Sequence, residues 1–334
     1  MNGLSVIIVN WNTKDLLCQC IDSLSQALQK IDAEVFVVDN GSTDGSVEVV
    51  REKFPNVGLI ENSVNVGFAK ASNQAISGSG GHYWLLLNPD TQVKEDSIER
   101  MISFMNAHPK AGVTGAQLLN ADGSRQNSIA NFPSLATELF NKSLLRWLFP
   151  EKFPGKERNY PGPVEVDSVI GACMLVRRVA AEEVGLLDEK FFLFLEETDW
   201  CYRMKKAGWK VYHIPQAEVV HFQGKSADAK KERARIEYYR SRYHYFRKHK
   251  GRLQVMVLFV GLIIKLLVEL VFSAMSCIFT LFMVKKWRRK LSTYLRVMGW
   301  HLRLCPETMG LEEEKKGIRN TNVEIRNKFK IRIF

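Results

Sequence analysis

Three carboxylic acids stand within four positions of the stretch FLFLEETDWCYR, which runs from Phe192 to Arg203: Glu196, Glu197 and Asp199. They directly follow large apolar side chains of the kind that fill a protein core. Acids crowded together repel one another, and burying an unpaired carboxylate is costly. Either the cluster is the solvated start of a helix, or one of these acids does chemistry, such as accepting a proton from a reacting hydroxyl group.

Helical spacing places the three acids at different positions on the predicted helix. Glu197 belongs to the inward-facing stripe of the predicted helix. The other members of that stripe are Trp200, Cys201 and Met204. Asp199 and Arg203 are spaced to pair on the outer side, and Glu196 stands at the helix start, where the helix dipole favours an anion. Glu197 alone lacks a structural explanation, so we predict it to be the general base, with Asp199 as the alternative.

Polar side chains also follow three predicted strands, at the point where each strand ends. These ends are Asn10-Trp11-Asn12, Asp39-Asn40-Gly41-Ser42 and Asn88-Pro89-Asp90. Turn preferences explain any one of them, but in open α/β sheets ligands bind beyond the carboxyl ends of the strands. Asp90, on a loop rigidified by Pro89, is a suitable oxygen ligand for Mg²⁺ or Mn²⁺. We therefore predict a ligand site at this edge.

The elements that position these residues alternate between strand and helix over the first 120 residues. The run LSVIIVN, Leu4–Asn10, is typical of a strand buried on both faces. Further strands are predicted at Glu34–Asn40, Val57–Glu61, His82–Asn88 and Gly112–Leu118, with helices between them. This alternation predicts an α/β fold with an open, mostly parallel sheet flanked by helices. In the later stretch VIGACMLV, also predicted as a strand, Gly171 would let the backbone approach a ligand closely.

The basic charge of the chain lies in its last third. The 334 residues carry a net charge of +11, yet residues 1–224 have 21 Lys and Arg against 27 Asp and Glu, whereas residues 225–334 have 26 against 9. This excess flanks the mostly apolar segment Leu253–Val284. Basic flanks on an apolar segment favour an anionic membrane surface over nucleic acid. Zinc-finger spacing is also missing from the six scattered cysteines, which we expect to be reduced thiols.

The apolar segment is long enough to span a bilayer, but both of its flanks are basic. Because basic flanks prefer the cytoplasmic side, a single crossing would force one of them out. We therefore favour a hairpin or an in-plane amphipathic anchor, extended by a basic amphipathic helix over Arg288–Arg303. A single span and buried helices of a dimer interface remain the alternatives. Lys265 and Glu269, which interrupt the segment, are spaced to pair with each other.

Several stretches resemble the family 2 glycosyltransferases, in particular the bacterial rhamnosyltransferase-like branch that builds O-antigen and other cell-surface polysaccharides. The likeness covers about residues 3–250, in the family's order. The stretches are SVIIVNWN, VVDNGSTDGS, NVGFAKASN, LLLNPDT, GACMLVRR, FFLFLEETDWCYR and the H-x-x-G-x-S pattern at His221–Ser226. Gly224-Lys225-Ser226 is no Walker A motif, because Val219 stands where that motif needs glycine. The resemblance implies a GT-A fold, a nucleotide-diphosphate sugar donor (dTDP- or UDP-linked) and transfer with inversion at the anomeric carbon.

The resemblance also implies roles for single residues. Asp39 would read the pyrimidine base of the donor, and the nucleoside pocket would be lined by Asn10, Asn12 and Asn65. Asp90 would occupy the last place of the D-x-D metal motif, whose first place here is Asn88, and His221 would contact the metal or the diphosphate. The family's general base is the second acid of a pair, which places Glu197 in that role after Glu196.

Residues 1–225 are thus predicted to form the catalytic domain, 226–252 a basic connector, 253–303 the membrane-associating helices and 304–334 a charged tail. The predicted function is metal-dependent transfer of rhamnose or a similar sugar to a lipid-linked or polysaccharide acceptor. The predicted location is the cytoplasmic face of the bacterial inner membrane. A non-catalytic sugar-nucleotide-binding scaffold and, less favoured, a nucleotidyltransferase remain the alternatives.

Overall fold

The structure, a computed structural model, describes residues 3–153, 159–222 and 231–306 together with residues 309 and 311. The predicted boundary between catalytic domain and connector lies outside the described residues. The same is true of Gly224-Lys225-Ser226 and of nearly all of the predicted tail.

Strands and helices alternate through the first two thirds of the chain, and three long helices follow. The strands are β1 (Leu4–Asn10), β2 (Ala33–Asp39), β3 (Gly58–Glu61), β4 (Tyr83–Leu87), β5 (Thr91–Val93), β6 (Ala111–Leu119), β7 (Ile129–Ala130), β8 (Val164–Glu165), β9 (Ser168–Val169), β10 (Cys173–Arg177) and β11 (Lys210–His221). The helices are α1 (Lys14–Ala27), α2 (Ser46–Lys53), α3 (Phe68–Gly78), α4 (Ser97–Ala107), α5 (Leu135–Leu139), α6 (Lys142–Leu148), α7 (Arg178–Val184), α8 (Glu196–Lys206), α9 (Lys231–His249), α10 (Arg252–Phe279) and α11 (Lys285–Leu302).

One large sheet organises the fold. Its strands follow the order β3-β2-β1-β4-β10-β6-β11-β5, and β8 pairs with β11 beside this path. Strands β1 to β4 are parallel, whereas β10 runs antiparallel between β4 and β6. The chain leaves β1 for β2 on one side and reaches β4 on the other, which opens a crevice at the carboxyl ends. The predicted open, mostly parallel α/β sheet is confirmed.

The apolar run of β1 is explained by the layers on both sides of the sheet. Val6 and Ile8 pack into a core shared with α1 and α4, while Ile7 and Val9 pack into a second core shared with α3 and α8. Alternate residues of a strand point to opposite faces, so a strand covered on both sides is apolar throughout.

The prediction for Gly171 is wrong in one respect, because this residue does not lie within a strand. The stretch VIGACMLV divides into β9 and β10, and Gly171 lies in the turn between them. The cause is that β9 pairs with β7 in a separate two-stranded sheet, whereas β10 joins the large sheet. The chain therefore has to pass from one sheet to the other at this glycine.

Helices α9, α10 and α11 pack together around a third core that also takes in Phe191. Helix α11 turns back along α10, so that the Phe272 and Trp287 rings lie 5.8 Å apart. Lys265 donates from Nζ to the carbonyl oxygen of Glu138 (2.8 Å), and Glu269 faces Lys290 at 3.8 Å. Packing thus supplies each of these side chains with a partner on another element, and the pairing of Lys265 with Glu269 stays a prediction.

The outer face of α10 is apolar and exposed. Among the described residues, α10 is the one helix whose length and composition would allow it to cross a membrane. Its inner residues Leu258, Leu262 and Leu266 are buried against the neighbouring helices. Residues 253–279 of the apolar segment therefore form one continuous helix, against which α11 folds back.

Candidate active site

Asp39 lies at the end of β2 directly opposite Asn10, the last residue of β1. Its Oδ2 accepts a hydrogen bond from Asn10 Nδ2 (2.9 Å), and its Oδ1 accepts one from the backbone N–H of Ser42 (2.8 Å). Asn10 is fully buried and its Oδ1 accepts from the Thr13 hydroxyl (2.7 Å). Asn10 thus fixes the Asp39 carboxylate, whose oxygens can each accept a further hydrogen bond.

Asn12 and Asn65 shape the two loops beside Asp39. Asn12 has a left-handed backbone (φ 53°) and accepts at Oδ1 from the N–H of Thr43 (2.7 Å), which joins the loop after β1 to the loop after β2. Asn65 accepts at Oδ1 from the N–H of Gly67 (2.9 Å) in a turn that leads into α3. Both side chains therefore set the course of loops at the edge of the crevice.

Gly67 joins this region to the loop before α8. A Cβ atom at Gly67, where φ is +90°, would lie 2.7 Å from the carbonyl oxygen of Phe192. That carbonyl accepts from the backbone N–H of Phe68 (2.8 Å). Only glycine allows the two loops to come this close.

Asp90 and His221 are brought together by the pairing of β5 with β11, in which Thr91 lies opposite His221. Asp90 Oδ1 is 3.3 Å from His221 Nε2, and both side chains are buried. On the other side of the ring, Nδ1 is 3.1 Å from Gln126 Oε1. The Gln126 amide nitrogen donates to the carbonyl oxygen of His221 and to Asn120 Oδ1, which turns Oε1 towards the ring.

This arrangement determines which partner each ring nitrogen of His221 faces. Because Gln126 Oε1 can only accept, Nδ1 of His221 carries a hydrogen and donates it. Nε2 then either carries a proton or presents a lone pair to the Asp90 carboxylate, and the second case requires a cation between them. Within the described residues, no three or more His, Cys, Asp and Glu side chains cluster closely enough to hold a metal ion. Asp90 and His221 fit a divalent cation that takes its remaining ligands from a bound molecule.

Asn88 connects the Asp90 loop to the predicted base. Its backbone N–H donates to the carbonyl oxygen of Ala172 (3.0 Å), and its own carbonyl oxygen accepts from the Thr91 hydroxyl (2.7 Å). The neighbouring Gly171 faces Glu197, whose side-chain carbons would lie 3.5 Å from a Cβ built at this glycine. The carboxyl end of β4, the turn at Gly171 and the start of α8 are therefore contiguous.

The three acids of the opening stretch have three different environments. Glu197 is partly exposed, in the first turn of α8. Glu196 is buried, and its Oε2 has no hydrogen-bond partner among the described residues. Two consecutive residues before the helix, Phe194 (φ 72°) and Leu195 (φ 68°), have left-handed backbones, which cost energy for non-glycine residues.

Burial raises the pKa of Glu197, and it raises the pKa of Glu196 further, since Glu196 also faces the charges of Glu197 and Glu237. Of the two neighbours, Glu196 therefore holds a proton more firmly, and Glu197 is the one that ionises first. A partly exposed carboxylate with a raised pKa is suited to proton transfer near neutral pH.

Asp199 lies in a place that the spacing did not predict. It pairs with Arg203 as expected (2.8 Å), but its side chain is fully buried instead of facing outward, because α9 covers it. Its oxygens also contact His249 Nε2 (2.6 Å) and Lys248 Nζ (2.9 Å). Burial would raise the pKa of Asp199, but the hydrogen bonds from His249 and Lys248 and the charge of Arg203 lower it. Asp199 is thus a buried anchor between α8 and α9.

Sequence patterns missed Gln126, and they missed the contact through which α9 fixes the loop before the predicted base. Gln126 stands in a polar loop whose composition is typical of any turn. The loop before α8 is fixed by the Ser241 hydroxyl of α9, which donates to the carbonyl oxygen of Leu193 (2.8 Å). Neither contact has a local signal, because each joins residues far apart in the chain.

Known proteins share both the sequence and the fold. The sequence profile described as glycosyl transferase family 2 matches residues 5–185. The chain is 32% identical over 238 residues to an N-acetylglucosaminyl-diphospho-decaprenol L-rhamnosyltransferase of Mycobacterium tuberculosis, an alignment that covers 67% of this chain and 77% of that protein. It is 26% identical over 223 residues to the dTDP-rhamnosyl transferase RfbF of Shigella flexneri, covering 66% of this chain and 69% of that protein.

A solved structure has the same architecture. The mannosyltransferase PcManGT from Pyrobaculum calidifontis, in complex with GDP-Man and Mn²⁺, superposes with a TM-score of 0.53 over 90% of this chain and 86% of its own, at 16% identity. The predicted GT-A-like fold is therefore confirmed. Because the profile covers more than half of the chain and a relative above 30% identity covers two thirds of it, the chain belongs to glycosyl transferase family 2 and is a glycosyltransferase.

Proposed function

We propose that the protein transfers rhamnose or a similar sugar, with inversion, from a dTDP- or UDP-sugar to a hydroxyl group of a growing lipid-linked glycan. The observation that carries the proposal is the position of Glu197. It is a partly exposed carboxylate at the start of α8, next to the turn at Gly171 and the sheet edge that bears Asp39 and Asp90. The two relatives named above support rhamnose as the sugar, and the mycobacterial one supports a diphosphate-lipid acceptor.

Glu197 acts as the general base. The acceptor hydroxyl donates its proton to the Glu197 carboxylate while its oxygen attacks the anomeric carbon from the face opposite the leaving diphosphate. Direct displacement from that face inverts the configuration. Burial and the neighbouring charges raise the pKa of Glu196, which favours its protonated form and so avoids a second negative charge beside the attacking oxygen.

Asp90 Oδ1 and His221 Nε2 would hold Mg²⁺ or Mn²⁺. When bound, this ion supplies Lewis-acid stabilisation of the negative charge that develops on the leaving diphosphate. Gln126 keeps the His221 ring oriented by accepting from Nδ1, the usual role of a residue behind a metal-binding histidine. Asp39, fixed by Asn10, accepts from the N–H of the pyrimidine ring, and the loops shaped by Asn12 and Asn65 enclose the nucleoside.

Helices α10 and α11 attach the protein to the anionic cytoplasmic face of the inner membrane. The first half of α10 packs against α5 and α9. If α10 crossed a bilayer, these two helices would have to enter the bilayer as well. The outer face of α10 is apolar, and α11 begins with basic residues. This favours an in-plane position, with the outer face of α10 in the acyl region and the basic residues at the headgroups.

A donor and acceptor screen tests the proposal. We expect dTDP- or UDP-linked sugars to raise the melting temperature, and Mn²⁺ to increase that effect. Radiolabelled transfer to a polyprenyl-diphosphate-linked N-acetylglucosamine should follow, with NMR showing the inverted anomeric configuration. Failure of every pyrimidine nucleotide sugar to bind would contradict the proposed donor. Donor binding without transfer to any acceptor would favour the non-catalytic scaffold, and full activity in EDTA would exclude the metal.

A further inference from the structure

Helix α6 presents an apolar face to solvent. Leu144, Trp147 and Leu148 are exposed at i, i+3 and i+4, with Trp147 77% exposed, and Phe149 beyond the helix end is exposed as well. Leu145 alone among the leucines of this helix is buried. A tryptophan and three other large apolar side chains in one exposed patch mark an interaction surface.

Helix α6 is linked to α10 through α5. Helix α5, which precedes α6, packs on α10 so closely that a Cβ at Gly261 would come within 2.6 Å of the Leu139 side chain. Phe140, which ends α5, is exposed and leads into α6 two residues later. The exposed apolar side chains of α10 include Val257, Val260, Ile264, Leu267, Val268 and Val271. Helices α6 and α10 are thus both next to α5, and both present exposed apolar side chains.

A pocket lies between α6 and the start of α8. Its volume is about 120 Å³, and its walls include Thr137, Glu138, Arg146, Leu195, Thr198 and Tyr238. Leu195 and Thr198 belong to the start of α8, the helix that carries the proposed base, so the pocket has the start of this helix as one of its walls. Glu138 is neutralised by Arg242 (Oε2 to Nε, 2.7 Å), which leaves Arg146 as a cation for an anionic ligand.

We propose that this pocket holds the diphosphate of the lipid-linked acceptor, with the acceptor sugar towards the start of α8, and that the hydrocarbon chain leaves across the apolar face of α6 into the leaflet contacted by α10. The inference rests on the proposed function, which makes the acceptor lipid-linked. Three observations carry it. The start of α8, which carries the base, forms a wall of the pocket; Arg146 matches a diphosphate; and the exposed face of α6 is apolar with a tryptophan, the residue that favours a membrane interface.

The test compares two acceptors that carry the same sugar diphosphate: a long polyprenyl chain in anionic phospholipid vesicles and a short, water-soluble alkyl chain. Trp147→Glu should lower kcat/KM for the long-chain acceptor by about tenfold or more, through loss of burial in the leaflet. The short-chain acceptor should be used almost as before. The matched control is Val179→Glu, an equally simple change at a 57% exposed apolar side chain on α7, which should affect neither acceptor.

A second variant tests the pocket itself. Arg146→Gln should raise KM for both diphosphate acceptors and leave KM for an uncharged alkyl glycoside of the same sugar unchanged, whereas Arg178→Gln on α7 should change none. If Trp147→Glu affects the two chain lengths equally, or neither, the inference is wrong. It is also wrong if Trp147→Glu only converts a dimer to a monomer in sedimentation experiments. If the parent protein uses neither lipid acceptor although it transfers to another, the proposed acceptor class is wrong instead.

Discussion

Asp39 is fixed by hydrogen bonds to its neighbours in the sheet. The loop and helix that carry Glu197 are fixed instead by contacts with a helix much further along the chain. The partners of Asp39 are Asn10 and Ser42, which lie on the adjacent strand and in the following turn. The loop before Glu197 is fixed instead by Ser241 of α9, and α8 is anchored to α9 through Asp199. Helix α9 in turn packs on α10 and α11.

This comparison leads us to propose that donor binding and catalysis depend on different parts of the fold. The donor side uses short-range contacts within a sheet that is buried on both faces. The base side uses long-range contacts to the helices that we propose to lie at the membrane. Damage to the C-terminal helices should therefore reduce transfer before it reduces donor affinity.

The largest expected effect is the loss of activity on substitution of Glu197, which its neighbour Glu196 should not show. Glu197→Gln keeps the size of the side chain but removes the carboxylate, and we expect kcat to fall by about 10²–10⁴-fold. Glu196→Gln should retain most activity, because it imitates the protonated acid. Since the pKa of Glu197 is raised by burial, transfer by the parent protein should already decline on acidification above the ordinary pKa of a glutamate.

Initial rates across a pH series and calorimetric donor titrations would measure these effects. Donor affinity should stay the same in both variants, because the base acts on the acceptor. Near-normal transfer by Glu197→Gln, together with an inactive Asp199→Asn that remains folded, would show that Asp199 is the base.

The next effect tests the anchor between α8 and α9. Asp199→Asn removes a buried carboxylate that pairs with Arg203 and Lys248, and we expect it to lower the free energy of unfolding by about 3–5 kcal/mol. Because the folded state lowers the pKa of Asp199, this stabilisation should be present above about pH 4 and be lost on further acidification.

The matched control is Asp96→Asn. Asp96 also pairs with an arginine four residues later, Arg100, but both side chains are about half exposed. Urea unfolding should show almost no change for this variant. Equal stability of the two variants would break the comparison, because α9 would then contribute little to the position of the base.

A third effect concerns the orientation of His221. Gln126→Leu removes the acceptor for Nδ1–H, and we expect Mn²⁺ affinity in the presence of a nucleoside diphosphate to fall by about 10–100-fold. Electron paramagnetic resonance of free Mn²⁺ measures this without any turnover. Gln92→Leu serves as the control, since Gln92 only meets Gln19 at the surface. Unchanged Mn²⁺ affinity in Gln126→Leu would remove His221 from the proposed metal site.

The smallest effect concerns the donor side alone. Asp39→Ala should weaken binding of a pyrimidine nucleotide sugar by about 1–3 kcal/mol, measured by calorimetry without acceptor. Asp39→Asn, which keeps the size of the side chain, should bind the donor with intermediate affinity. If deletion of residues 253–303 weakened donor binding more than Asp39→Ala, the two sides of the site would not be independent.

The sequence was sufficient for those parts of the site in which position along a strand determines position in space. Asn10 and Asp39 end parallel strands and Asp90 follows another, and such strand ends meet at one edge by geometry. The contact between Asp90 and His221 could also be predicted, since the family resemblance assigned Asp90 to the metal motif and His221 to the metal or the diphosphate.

Other features could not be predicted because they depend on packing between distant elements. The burial of Asp199 requires the knowledge that α9 covers that side of α8. To predict that Trp147 is exposed, one would need to know that Leu145 is the leucine through which α6 packs. The turn at Gly171 required the knowledge that β9 joins a different sheet from β10. Local periodicity describes one element at a time and carries no such information.

The close approach of Gly67 to Phe192 has a consequence for engineering donor or acceptor preference by exchanging loops between family members. The two loops leave no space for a side chain at residue 67, and the N–H of Phe68 is satisfied by the carbonyl oxygen of Phe192. A chimaera that replaces residues 65–68 alone would bring a foreign backbone against the unchanged loop before α8. Residues 65–68 and 191–195 therefore need to be transplanted together, as one unit.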